Sequence, residues 1–376
     1  MKNLLAQLTL LILLLAGHCR AADNLVLITI DGLRWQEVFA GLDPAIVADE
    51  TLTRHAERLG KKYGGSNAKE KRRRLMPFLW QTIARDGALL GNRTRGSRMQ
   101  VTNPWWFSYP GYNEILSGKA DPKIDSNDRI ANRNVTFLEW LNRRTEFRGR
   151  VAAFASWHTF AAILNRTRSG LPVNAGFEVA SWPQPSPRAR LLSQLQRQTP
   201  ITWSSLRYDA YTYNLAREYL LQRRPRMLYI ALGETDDFAH DKQYDQYLDA
   251  AHRADRFIAD LWQTLQSLPQ YRDNTNLVIT VDHGRGRDAA LWPYHGSPLA
   301  VQKSHPEEKQ LTRTGIPGSN EIWLAALGPD IRPGGEVSGG PVLFQNQVAA
   351  TALSLLGEQP EDFSADIGPA IQTLLK

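Results

Sequence analysis

Cysteine is nearly absent. Cys19 is the only one in 376 residues, and it falls in an apolar leader. A mature chain without that leader has neither a disulfide nor a thiolate metal site, so any metal must be held by His, Asp or Glu. Long hydrophobic runs are missing after the leader as well, which excludes stable membrane insertion of the mature chain. Internal repeats and low-complexity tracts are also lacking. An acidic surplus is absent, because Lys and Arg (45) outnumber Asp and Glu (38) for a formal charge of +7. A basic balance favours anionic partners, phosphate esters among them.

The leader itself is informative. Met1-Lys2 is a basic start, Leu4 to Ala16 is apolar apart from Gln7 and Thr9, and small residues follow at Ala21-Ala22. This is the pattern of a secretory signal peptide over residues 1–22, cut after Ala21 or Ala22. His18 before Cys19 is too bulky for a good lipidation site. The expected compartment is periplasmic or extracellular.

Buried branched runs recur at Leu25–Ile30, Val151–Ala155, Met227–Leu232, Asn276–Val281 and Ile322–Leu327. Continuous runs of this kind read as strands of a parallel sheet covered on both faces. Helical patterns lie between them, most clearly at Phe78–Asp86, Thr136–Arg143, Arg207–Gln222, Tyr244–Gln266 and Gln347–Leu356. The expected fold is α/β, a three-layer α/β/α sandwich on a mostly parallel sheet. One domain, 23–376, is expected, with insertions near 42–74 and 158–205, the second placed as a cap beside the sheet. The cluster Lys69, Lys71, Arg72, Arg73 and Arg74 reads as solvated surface, with no nucleic-acid partner expected. Nothing in the sequence sets an oligomeric state.

Ligand-type residues gather where strands end. Asp31-Gly32 follows the first run, Asp236 and His240 follow the third, and Asp282-His283-Gly284 follows the fourth. His295-Gly296 precedes the fifth. In parallel sheets ligands bind at the carboxyl ends of strands. Carboxylate oxygen and imidazole nitrogen are the donors zinc takes when no thiolate is present. Ser108, before a Pro-Gly pair and a short helical run, reads either as a helix cap or as a nucleophile near unsatisfied N–H groups.

Ile30-Asp31-Gly32-Leu33-Arg34, Ser108-Tyr109-Pro110, Asp236-Asp237-Phe238-Ala239-His240, Asp282-His283-Gly284 and His295-Gly296 occur in that order. Together they resemble the alkaline phosphatase superfamily, especially its nucleotide pyrophosphatase/phosphodiesterase-like branch. The resemblance implies two divalent metal ions, zinc by preference. One would be held by Asp236, His240 and His295, the other by Asp31, Asp282 and His283 with the Ser108 hydroxyl. It implies a phosphate-ester substrate and a covalent phosphoserine. Among the asparagines beyond the nucleophile (Asn127, Asn132, Asn134), Asn132 is taken as the phosphate contact. His305 is the rival of His295. Glu234 and Asp237 are candidates for orienting the histidines.

Tyr109, Trp106 and Tyr112, with Trp105 and Phe107, are read as a substrate wall, and Trp157 and Arg168 as further substrate-facing candidates. Sulfatases of this superfamily need Arg where Tyr112 stands, so an unmodified serine and a phosphate preference are expected. Alternatives on the same fold are a sulfatase-like hydrolase, an envelope phosphoryl-group transferase, or a non-catalytic anion-binding protein. The transferase would usually carry membrane helices. The binding protein would have lost a ligand, and none of the seven positions is lost.

Overall fold

The computed structural model describes residues 21–376, so the expected leader lies, but for its last two residues, outside the described part. A sheet of eight strands runs through the molecule in the order β10-β2-β9-β7-β1-β6-β4-β5. The strands are β1 (Asn24–Ile30), β2 (Ala88–Leu90), β4 (Val151–Ala155), β5 (Val173–Ala175), β6 (Met227–Leu232), β7 (Thr275–Thr280), β9 (Leu324–Leu327) and β10 (Gly335–Glu336). Three two-residue strands, β3 (Met99–Gln100), β8 (Glu321–Ile322) and β11 (Leu343–Phe344), form a second small sheet.

β1 pairs in parallel with both β6 and β7. All three strands are buried along their whole length, which explains why their sequences are continuous rather than alternating. Helices cover the sheet in two groups. Helix 209–223 packs on β4 and β6 beside helix 244–267, while helices 108–117, 137–143 and 347–355 pack with one another and reach β1 and β4. The α/β expectation therefore holds.

One strand corrects the reading. The run Ile322–Leu327 is split between the two sheets, and β9 runs antiparallel to β7 and β2. The chain leaves β7 at its carboxyl end, lays down residues 281–320 there, and re-enters the sheet from that same end. An antiparallel return needs no crossover helix.

The basic cluster serves as a brace. Lys71 donates to the Leu42 carbonyl (3.1 Å), and Arg72 holds Glu336 (3.0 Å) and the Phe39 carbonyl while lying over the Trp80 ring. Arg74 pairs with Glu70 one helical turn away. Segment 158–205 contributes edge strand β5 and helix Pro187–Gln198, which packs on helix 209–223.

Candidate active site

Strands β6, β1 and β7 are neighbours, and each delivers carboxylates or imidazoles just past its carboxyl end. Neighbouring strands lie about 4.8 Å apart, so three consecutive ends span roughly 10 Å, the width of a paired-ion site. Asp31 comes from β1, Asp282 and His283 from β7, and Asp236 and His240 from the helix Glu234–His240 after β6. Gly32 (φ +59°) closes the turn after Asp31, and a Cβ there would lie 2.5 Å from an Asp236 oxygen. Only glycine lets the two elements approach this closely.

The helix carrying Asp236 and His240 is seated by a buried carboxylate. Asp209 accepts from the N–H groups of Gly233 (2.8 Å) and Glu234 (3.2 Å) and from Ser156 Oγ. Glu234 returns the bond to the Asp209 N–H (2.9 Å) and pairs with Arg253. Two helix starts thus cap each other. Burial and the Glu234 charge push the Asp209 carboxyl up to about 7. Glu234 therefore holds the helix rather than a histidine. Asp237 is pushed up to about 8 by burial and the Asp236 charge.

Ser108 opens the helix Ser108–Ser117. The N-cap is Phe107, whose side chain makes no capping bond. Ser108 is the first helical residue, so its hydroxyl is not consumed as a cap. The preceding Trp106 has a positive φ (57°), a costly conformation for a bulky residue. Its N–H and that of Trp105 both donate to Asn103 Oδ1 (2.9 and 3.1 Å), and Glu114 holds Asn103 (2.9 Å). Gly111 lets the helix press on the end of β7, since a Cβ would lie 2.3 Å from the Asp282 carbonyl.

At the centre Ser108 Oγ lies 3.3 Å from His283 Nε2. The same nitrogen faces Asp31 Oδ1 at 3.3 Å and Asp282 Oδ2 at 3.4 Å. His283 Nδ1 is 2.8 Å from the Gly284 carbonyl, so Nδ1 carries the hydrogen and Nε2 presents a lone pair to two carboxylates. Asp31 Oδ1 and Asp282 Oδ2 are buried without a hydrogen bond. Lone pairs converging on one buried point require a cation there, a proton or a metal. Tyr112 Oη donates to the other Asp31 oxygen (2.9 Å), and the Gly32 N–H to the other Asp282 oxygen (3.1 Å). Each carboxylate is thereby aimed.

The second group lies beside it. His240 Nε2 is 3.1 Å from Asp236 Oδ2 and 3.0 Å from His295 Nε2. Ligand atoms of Asp236, His240 and His295 all lie within 4.8 Å of one another, and so do those of Asp31, Asp236 and His283. Asp236 thus stands between the two groups. His305 is exposed, 3.3 Å from Glu307, and outside the cluster.

Charge is unevenly spread. Burial and the Asp236 charge push the Asp31 carboxyl up, while burial and the Asp31 charge push Asp282 well up. Burial opposes the His283 imidazolium, but Asp282 and Asp31 raise it to about 9. Burial also opposes the Asp236 carboxylate, yet Arg285 and His240 hold it well below the usual range. Burial and His283 push His295 well down.

Several side chains expected to face substrate have partners inside the protein. Tyr112 and Tyr109 are buried, with hydroxyls committed to Asp31 and to the Ile130 carbonyl. Trp106 is half-buried and packed on the core. Arg168 is spent on Glu139 and on the carbonyls of Asn132 and Asn134. Asn132 donates to Asn113 Oδ1 and to the Ile163 carbonyl, so both amide hydrogens serve the loop. Asn127 instead reaches the helix that Ser108 opens, accepting from the Tyr109 N–H at 3.0 Å. Trp157 stays half-buried, edge-on to Phe160. Sequence reasoning passed over Arg285, Asp209 and the pair Asn103–Glu114. An acid in the first turn of a helical pattern was the available signal for Asp209.

The sequence pattern of the type I phosphodiesterase / nucleotide pyrophosphatase family matches residues 45–287, and the chain belongs to that family. Solved structures agree on the fold. The chain is similar to alkaline phosphatase PafA (12% identity, TM-score 0.55, 96% of this chain and 100% of that one). It is also similar to the lipoteichoic acid synthase LtaP from Listeria monocytogenes (12%, 0.53, 90% and 73%) and to a 2-O GAG sulfatase (13%, 0.55, 93% and 73%). No curated protein matches the chain.

Proposed function

We propose that the chain is an exported hydrolase of phosphate esters, with diesters preferred, that works through a covalent intermediate on Ser108. The observation that carries this reading is the convergence of Ser108 Oγ, His283 Nε2 and two unsatisfied carboxylate oxygens on one buried point. These donors suit a divalent ion, zinc by the preference of mixed Asp and His sets. Asp31, Asp282, His283 and Ser108 would hold one ion, and Asp236, His240 and His295 the other. When bound, such ions supply the Lewis acidity that activates a serine hydroxyl and neutralises phosphoryl charge.

The chain's own residues do the rest. Ser108 Oγ forms a bond to phosphorus as the ester P–O bond breaks, and water later cleaves the Ser108 O–P bond. Tyr112 and the Gly32 N–H keep Asp31 and Asp282 aimed through the cycle. Asn127, whose Oδ1 accepts from the Tyr109 N–H at the helix start, is the asparagine assigned to a phosphoryl oxygen. A monoester dianion asks for a further cation. The cationic side chain that touches the ligand set, Arg285, is committed to Asp236 and to the Trp292 and Pro293 carbonyls.

Export is supported by the leader and by the way the fold begins. Ala22 is buried and its nitrogen lies 2.7 Å from Asp330 Oδ2, so a cut after Ala21 would place the new amine on a carboxylate. Among the described residues no helix is long and apolar enough to cross a membrane.

The test is hydrolysis of para-nitrophenyl phosphate, bis-para-nitrophenyl phosphate and para-nitrophenyl sulfate by wild type and Ser108→Ala, with metal content measured on both. The diester should turn over fastest and the variant should fail on all three. A preference for sulfate, or turnover that survives the substitution, would reject the reading.

A further inference from the structure

The two ligand groups are not equal in charge, two carboxylates against one, and one residue widens the inequality. Arg285 is fully buried. Its guanidinium pairs with Asp236 Oδ1 and lies 3.4 Å from His240 Nδ1. The rest of the fork is fixed by the Trp292 carbonyl (3.0 Å from Nε) and the Pro293 carbonyl. The guanidinium thus lies against both the carboxylate and one imidazole of this group.

The charge count points the same way. The group of Asp31, Asp282 and His283 offers two carboxylates, and among the described residues no lysine or arginine pairs with either of them; their close partner is His283, itself one of the group. The group of Asp236, His240 and His295 offers one carboxylate, already neutralised by Arg285. In a buried setting a fixed positive charge beside a dication is strongly repulsive.

We infer that Arg285 is a resident counter-ion that makes the Asp236–His240–His295 group the weaker of the two metal sites, filled second and emptied first. The inference rests on the two-metal reading above. Arg285 is a positioning residue here, since it acts through Asp236 and His240 and not on substrate. It also keeps the half-filled protein intact, because Asp236 is never left as an unpaired buried charge when its metal departs.

The test is a Zn2+ titration of the metal-free full chain, by calorimetry and by competition with a chromophoric chelator. Wild type should show two binding events separated by at least about tenfold. His240→Ala should delete the weaker event. Arg285→Gln should tighten the weaker event by about tenfold or more and leave the tighter one nearly unchanged. Arg285→Lys, which keeps the charge and loses the fork, should restore the gap, an outcome that a purely structural role for the guanidinium would not give. Two indistinguishable events in wild type would overturn the inference whatever the variants do. So would loss of the tighter event in His240→Ala, or a weaker second site in Arg285→Gln that lysine fails to rescue. Absence of any Zn2+ binding in wild type would instead strike the two-metal reading itself.

Discussion

The two halves of the ligand cluster are built differently. The half at Asp31, Asp282 and His283 is fixed by strand ends. Its residues follow the buried strands β1 and β7 directly, and all three side chains are almost fully buried. The half at Asp236, His240 and His295 is held by a short helix and a loop, with His240 exposed. A strand in mid-sheet cannot shift without breaking two ladders, whereas a seven-residue helix depends on its caps. The first half is therefore the rigid one, and Ser108 stands against it. The second is the more readily loosened half, and a buried arginine tempers its charge.

The largest expected effect lies in the rigid half. Ser108→Ala should lower turnover by at least about 10^3-fold, while metal content stays near that of wild type. Loss of both metals together with activity would mean that Ser108 is chiefly a ligand. Next, Asp282→Asn should weaken metal binding by more than about 100-fold, since even outer partners of metal ligands cost 10- to 100-fold. If Asp236→Asn costs more than Asp282→Asn in the same titration, the ranking of the halves is reversed.

Acidity should separate the halves as well. In the metal-free protein burial works against the His283 imidazolium, but Asp282 and Asp31 raise it from 6.5 to about 9. A raised histidine contributes stability that is fully present below the unfolded value and is lost as pH rises through about 9. Ligation needs the neutral ring, so metal uptake below pH 9 should release a proton and weaken as pH falls, by up to about tenfold per unit for one proton. Calorimetry in buffers of different ionisation enthalpy measures that proton. A count of zero would contradict the account of His283.

Smaller effects fall on the supports. Asp209→Ala leaves the Gly233 and Glu234 N–H groups without their acceptor and should cost about 2 kcal/mol. Thermal unfolding checks the size, and metal should be lost first from the Asp236 half. Tyr112→Phe removes one bond to Asp31 and should cost about 1 kcal/mol at most, read as a small drop in kcat with the metal retained.

The same contrast explains what the sequence disclosed. The strands β1, β6 and β7 are buried on both faces, so their apolar runs stand out. The ligand-type residues that follow them within three residues, Asp31 and Asp282-His283, could be placed by chain order alone. β2, β5 and β10 are two or three residues long, too short to carry a pattern. Arg285 sits one position beyond Gly284, and its partner Asp236 lies on a different strand end, so nothing local marks it. Asn127 and Asn132 are five residues apart in an irregular loop. Which of them reaches the helix opened by Ser108 depends on how that loop packs against Asn113 and Ile163. The tyrosines were open to two readings because an aromatic run beside a candidate serine reads equally as a pocket wall or as core, and here the Tyr112 hydroxyl meets Asp31.

The most direct measurement is acid-quenched turnover of bis-para-nitrophenyl phosphate, followed by peptide mass spectrometry. The account predicts an aryl phosphoryl or phosphoryl group on the peptide containing Ser108 in wild type and none in Ser108→Ala. Sustained turnover with Ser108 unmodified at every time point would contradict it.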